Sequence, residues 1–194
     1  MVNLNLTIDD EVKEFNIPES WDEVTVEQFC ELFSFNREEL TPIELGVKTL
    51  NIFIGVDEET LMMLNYDDFI NLINIVNFTN TDIDSKYSDS VEIEGETYFM
   101  KDDFSQLTMG EIISIETLIE SSNGNIFGSM AKLLCIFLRK KKENGNLESF
   151  KGTFMNRESI FKLLPVSQVY GVFVFFLGGA TLLENNMKEY SENN

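Results

Sequence analysis

A nine-residue pattern occurs twice in this chain. Residues 21–29 read Trp21-Asp22-Glu23-Val24-Thr25-Val26-Glu27-Gln28-Phe29, and residues 104–112 read Phe104-Ser105-Gln106-Leu107-Thr108-Met109-Gly110-Glu111-Ile112. Each has an aromatic residue, a branched apolar residue before Thr, Gln or Glu three positions after that Thr, and then an apolar residue. Thr-x-x-Gln/Glu is a capping box: the Thr side chain accepts from a first-turn N–H, and the Gln or Glu reaches back to the cap's own N–H. The pairs Val24/Phe29 and Leu107/Ile112 have the spacing of hydrophobic staples. Thr25/Gln28 and Thr108/Glu111 therefore mark two helix starts whose threonines lie 83 residues apart. A third box, Thr41/Glu44, has Pro42 at the first helical position, where no N–H is missed.

The segments between these starts supply the rest of the architecture. Val2, Leu4, Leu6 and Ile8 alternate with polar residues, as in a half-buried strand. Asp9-Asp10-Glu11 is turn-like, and Val12 to Ile17 returns as a second strand that Pro18 ends. Thr25 opens a helix of about 11 residues, Thr41 one that Gly55 stops near Ile54, and Asn65 a third carrying Phe69, Leu72, Ile73 and Val76. Residues 79–90 are polar and aperiodic, a loop between halves. Val91 to Phe99 forms a hairpin turning at Glu94-Gly95, and the helix from Thr108 follows. An apolar stripe from Ile126 to Leu138 predicts a helix over about 125–140, with Arg139, Lys140, Lys141 and Lys142 at its C-terminal end, where positive charge suits the dipole. Asn156 is a candidate cap for a short helix before Pro165, and the tail from Glu184 is polar and frayed.

The implied fold class is α+β, predominantly helical, built of two β-hairpin-plus-helices halves. The halves are an acidic N-terminal half over 1–78, the loop 79–90, a C-terminal half over 91–187 and a tail over 188–194. A diverged internal duplication competes with chance recurrence of a common helix-start signal.

Charge divides the chain unevenly. Residues 1–97 hold 23 acidic and 4 basic side chains, whereas residues 98–194 hold 11 and 10. Such an acidic surface repels nucleic acid, so no direct nucleic-acid contact is expected. The same surface suits a basic protein partner or an imitation of DNA charge. From 132 to 162 the sign reverses, with 8 basic and 3 acidic residues, so Arg139–Lys142 is the candidate partner contact, a local patch of the kind that can also touch phosphate. Its plainer explanation is helix capping and solvation. A third possibility is that it meets the acidic half of a neighbouring copy, as in rings or filaments.

Chemistry is harder to find. The chain has no His, the usual general base near neutral pH and the commonest metal ligand. Cys30 and Cys135 fall in apolar helical patterns and are expected to be reduced core residues. There is no Gly-x-x-x-x-Gly-Lys-Ser/Thr, no Gly-x-Gly-x-x-Gly after a strand and no Gly-x-Ser-x-Gly. Asp82-x-Asp84 begins like a calcium loop but continues with Lys86, Tyr87 and, at its twelfth position, Ile93. The acid pairs Asp67/Asp68 and Asp102/Asp103 sit where helix N-termini welcome negative charge. The expectation is a non-enzyme without metal or cofactor. Val166–Leu183 is 18 residues long and mostly apolar, near the roughly 20 that span a bilayer. Ser167, Gln168 and Gly178-Gly179 interrupt it, so a helix buried in protein, or one ending in a turn at the glycines, is expected rather than a membrane span. The N-terminus shows no signal-peptide pattern.

The run from Ile17 to Phe29 resembles openings found in small structural or assembly proteins of tailed bacteriophages, especially those of Bacteroidota hosts, crAss-like phages included. The segment Leu107–Ile112 and the order hairpin, helices, hairpin, helices are similar too. The residues that carry the likeness are capping and packing residues, so no catalytic role is implied. The resemblance implies a non-enzymatic, oligomeric component near the portal or tail, binding other phage structural proteins in the host cytoplasm and in the virion. The alternatives are a tail assembly chaperone absent from the mature virion and an acidic DNA-mimic inhibitor of a host enzyme.

Overall fold

The computed structural model describes residues 1–8, 11–84, 86–101, 103–122 and 125–192, with side chains described up to 179 except at 7 and 8. Asp9, Asp10 and Asp102 lie outside the described residues. The protein is α+β and predominantly helical, with one two-stranded and one three-stranded antiparallel sheet. β1 (Val2–Ile8) pairs with β2 (Glu11–Ile17) in the register Val2↔Ile17. A 3-10 turn, Trp21–Glu23, leads to α1 (Val26–Leu32), followed by α2 (Pro42–Ile54), α3 (Glu58–Met62) and α4 (Tyr66–Val76). The second sheet has the order β3 (Ser90–Ile93), β4 (Glu96–Met100), β5 (Leu138–Arg139). Between its last two strands run the 3-10 turn Phe104–Gln106, α5 (Met109–Ser121) and α6 (Met130–Phe137). α7 (Glu158–Lys162) and α8 (Val166–Glu192) complete the chain.

All three boxes close. Gln28 N donates to Thr25 Oγ1 at 3.2 Å while Thr25 N donates to Gln28 Oε1 at 3.0 Å. Thr41 and Glu44 repeat this ahead of α2, and Thr108 and Glu111 ahead of α5. The order hairpin, 3-10 turn with a leading aromatic, capped helix therefore occurs at both places. Gly55 ends α2 at φ 67°, the left-handed geometry a helix C-terminus favours.

The two halves share one core. α6 is buried on nearly every side, from Met130 to Phe137 with only Lys132 exposed, and it packs against α1, α5, α7 and α8. A helix apolar all round belongs at the centre of a domain. Phe29 of α1 touches Phe127 and Tyr170 from the second half at centroid distances of 6.0 and 5.8 Å. Val26 N donates to Leu164 O and Val166 N to Val24 O, both at 2.8 Å. The loop before β3 lies across α8: a Cβ on Gly171 would come within 2.7 Å of Lys86 O, so only glycine lets the two backbones approach.

Several expectations are corrected. The helix expected over 125–140 is a 3-10 turn followed by α6, which stops at Phe137. Leu138 and Arg139 leave it to pair with Met100 and Phe99, because the free edge of β4 offers backbone partners. The helix after Thr25 is 7 residues, shorter than expected, and α3 had no expected counterpart. Asn156 lies inside the 3-10 segment Gly152–Arg157 and caps nothing; α7 starts after Arg157 without a side-chain cap. No turn forms at Gly178-Gly179: α8 runs through them to Glu192, past the expected start of the tail.

Candidate functional site

The basic run Arg139–Lys142 is not the solvated helix end its sequence implies. Arg139 is 1% exposed. Its Nη2 donates to Glu111 Oε1 at 2.7 Å, its Nε to Ile136 O at 2.8 Å and its Nη1 to Glu148 O at 3.2 Å. The guanidinium also lies 5.2 and 5.1 Å from the ring centres of Phe150 and Phe154. Burial removes Arg139 from any direct partner contact. Lys140 pairs with Glu96 at 3.3 Å, and Lys141 stands 3.6 Å over the Phe99 ring. Lys141 and Lys142 are exposed, and they are what remains of the candidate contact.

Glu111 organises this region. Its Oε2 accepts from Thr108 N at 2.6 Å and Thr108 Oγ1 at 2.7 Å, closing the capping box. Lys101 Nζ donates to both carboxylate oxygens at 3.0 Å. Burial by itself raises the pKa of such a carboxyl, but the Thr108 and Lys101 hydrogen bonds and the Arg139 charge outweigh it and hold Glu111 at about 2. Next to it, Arg157 Nη1 donates to Glu148 Oε1 at 2.5 Å, and Lys140 N donates to the same oxygen at 3.1 Å. No buried side-chain nitrogen or oxygen among the described residues lacks a partner. A network this completely satisfied holds its chain segments in fixed positions.

The first half is different. Among the described carboxylates of residues 1–97, ion pairs reach only Glu19, Glu23, Glu27, Glu58 and Glu96. Within this field lies an exposed apolar ridge at the α3–α4 turn: Met62 is 65% exposed, Met63 81% and Tyr66 74%. Glu58, Glu59, Asp67 and Asp68 flank it in sequence. Asn65 caps α4 by accepting from Asp68 N at 2.9 Å, so the Asp67/Asp68 pair sits in a first helical turn. Asp103 accepts from Ser105 N at 3.0 Å, capping the 3-10 turn.

A second feature is a cleft of about 360 Å³ where the first half meets α8, lined by Trp21, Phe29, Phe33, Asp82, Ile83 and Tyr170 among others. Sequence reasoning missed both the Glu111–Arg139 pair and this cleft, because their members lie far apart along the chain. The one available signal was an arginine directly after a run of core residues.

Cys135 is buried, and burial pushes its thiol up to about 12; Cys30 is half-buried, and burial raises its thiol as well. Among the described residues no group of three or more Asp, Glu, Cys or His side chains is placed to hold a metal ion. No described helix is long and apolar enough to cross a membrane. No protein-family model matches the chain, and neither curated proteins nor solved structures show significant similarity to it.

Proposed function

We propose that this chain is a non-enzymatic, protein-binding structural component of a tailed-phage virion, oligomeric and acting in particle assembly at the portal, head–tail or tail region. The carrying observation is the asymmetric charge balance. Lys101, Arg139 and Arg157 are engaged with carboxylates of their own half, and Lys140 and Lys162 reach Glu96 and Glu27. Most of the acidic surface of the first half is left for something else. Complementary charge across an interface sets encounter rate and specificity, so the partner is a basic face of another particle protein. The apolar ridge at Met62, Met63 and Tyr66 favours an amphipathic protein surface over plain imitation of nucleic acid, and Met side chains adapt readily to such contacts. The resemblance at Ile17–Phe29 supplies the phage context.

The test replaces Glu58, Glu59, Asp67 and Asp68 by Gln and Asn and measures incorporation into assembling particles at several salt concentrations. The expected result is reduced incorporation and a weaker salt dependence. Unchanged incorporation by a folded variant contradicts the proposed surface.

A further inference from the structure

We infer that the free edge of β1 is a self-association surface, which pairs antiparallel with β1 of a second copy of this chain across a two-fold axis. The hairpin is a two-stranded sheet, so each of its strands has one side without a strand partner. Every second residue of β1 turns its N–H and C=O toward that side. Among the described residues, no backbone hydrogen bond beyond the β1–β2 ladder involves residues 2–8. β2, rather than β1, is the strand that runs against α2, so β1 forms the outer side of the hairpin.

Composition separates this edge from the others. Natural edge strands are kept single by charged side chains, Pro, bulges or short length. β2 carries Glu11, Lys13 and Glu14, β3 is four residues long with Glu92, and β5 is two residues ending in Arg139. β1 is seven residues long and has no charged residue, Pro or Gly, although residues 1–97 hold 23 acidic side chains. A charged partner strand finds no counter-charge along it, whereas a strand of the same sequence matches it in pattern. Antiparallel overlap over all of Val2–Ile8 places Asn5 opposite Asn5 of the second copy, Leu4 opposite Leu6, and Asn3 opposite Thr7. Polar positions then meet on the face where Asn3 and Asn5 are exposed, and apolar positions meet on the face where Leu6 is buried. A slip of one residue would set polar against apolar along the whole strand. The contact is isologous, so it closes as a dimer with a four-stranded sheet.

This names a self-contact for the oligomer proposed above and rests on that reading only for its setting. The two fail separately. Salt weakens the meeting of an acidic surface with a basic partner, but it strengthens self-association of chains of net charge −20 by screening their repulsion. The full chain is studied by sedimentation equilibrium at low and high salt, beside Asn5→Lys and Asn16→Lys. Both positions are exposed, and both substitutions remove one unit of net negative charge. Matching circular dichroism spectra establish that the variants are folded. The expected result is a dimer that grows with protein concentration and with salt. Only Asn5→Lys sets two like charges opposite each other at the two-fold axis, so it should dimerise roughly fivefold more weakly, while Asn16→Lys dimerises at least as well as the wild type. A chain that stays monomeric at high salt, a dimer that Asn5→Lys leaves undiminished, or equal weakening by Asn16→Lys each overturns the inference, without bearing on incorporation into particles.

Discussion

Glu111 both closes the capping box of α5 and neutralises two cations, one of them the fully buried Arg139. Its folded-state pKa of about 2 lies below the ordinary 4.5, so the folded protein holds the ionised form more tightly than the unfolded chain does. That stabilisation is complete above about pH 4.5 and is lost as pH falls toward 2. It amounts to about 3 kcal/mol at neutral pH. Glu111→Gln keeps the Thr-x-x-Gln capping pattern but removes the charged carboxylate that both Lys101 and the buried Arg139 contact, and a buried pair broken on one side costs about 3–5 kcal/mol. Urea unfolding at pH 7 and pH 3 is the check: the wild type should lose stability between them, and the variant should lose distinctly less. Equal losses would show that Glu111 is not the group being titrated. The box itself was legible because Thr108 and Glu111 are three residues apart. Its pairing with Arg139 was not, because the two are 28 residues apart and become neighbours only when β5 leaves the α6 direction.

At the scale of elements, α8 shows how local signals and tertiary contacts divide the work. Its glycines look alike in sequence but not in space. A Cβ on Gly178 meets nothing within 4 Å, whereas one on Gly171 meets the Lys86 carbonyl oxygen at 2.7 Å. Gly178→Ala should therefore stabilise the protein by up to about 1 kcal/mol through helix propensity. Gly171→Ala gains the same propensity but forces backbone from backbone and should destabilise by about 1–3 kcal/mol net. Thermal unfolding of the two variants side by side measures the difference; similar Tm shifts of the same sign would contradict the close approach of Lys86 and Tyr87 to α8. Helix starts at Thr25, Thr41, Asn65 and Thr108 were readable because caps are local. The end of α6 was not, since a stripe from Ile126 to Leu138 carries no mark of the β4 edge waiting beside Leu138. Neither was the continuity of α8 through Gly178-Gly179, which the sequence offers equally as a turn.

Across the whole molecule, a shared core and an unshared charge stand side by side. Residues from Leu6 to Phe176 form one buried cluster, so the hairpin-plus-helix plan visible in both halves describes local order rather than separate cores. Hydrophobic periodicity located core-facing positions such as Leu6, Phe69, Leu72, Val76 and the stripe ending at Leu138, but it could not show that α1 and α6 pack on each other. The charge division was visible in the sequence, and the structure sharpens it. The apparent basic counter-patch is largely occupied within the fold, and the acidic half is left facing outward with an apolar ridge and an aromatic cleft nearby. The most direct test of the proposed function is mass spectrometry of purified phage particles. This chain should be present in them at a fixed ratio to the other portal or tail proteins. Its absence from finished particles, with recovery only in assembly intermediates, would contradict a structural role and favour a tail assembly chaperone.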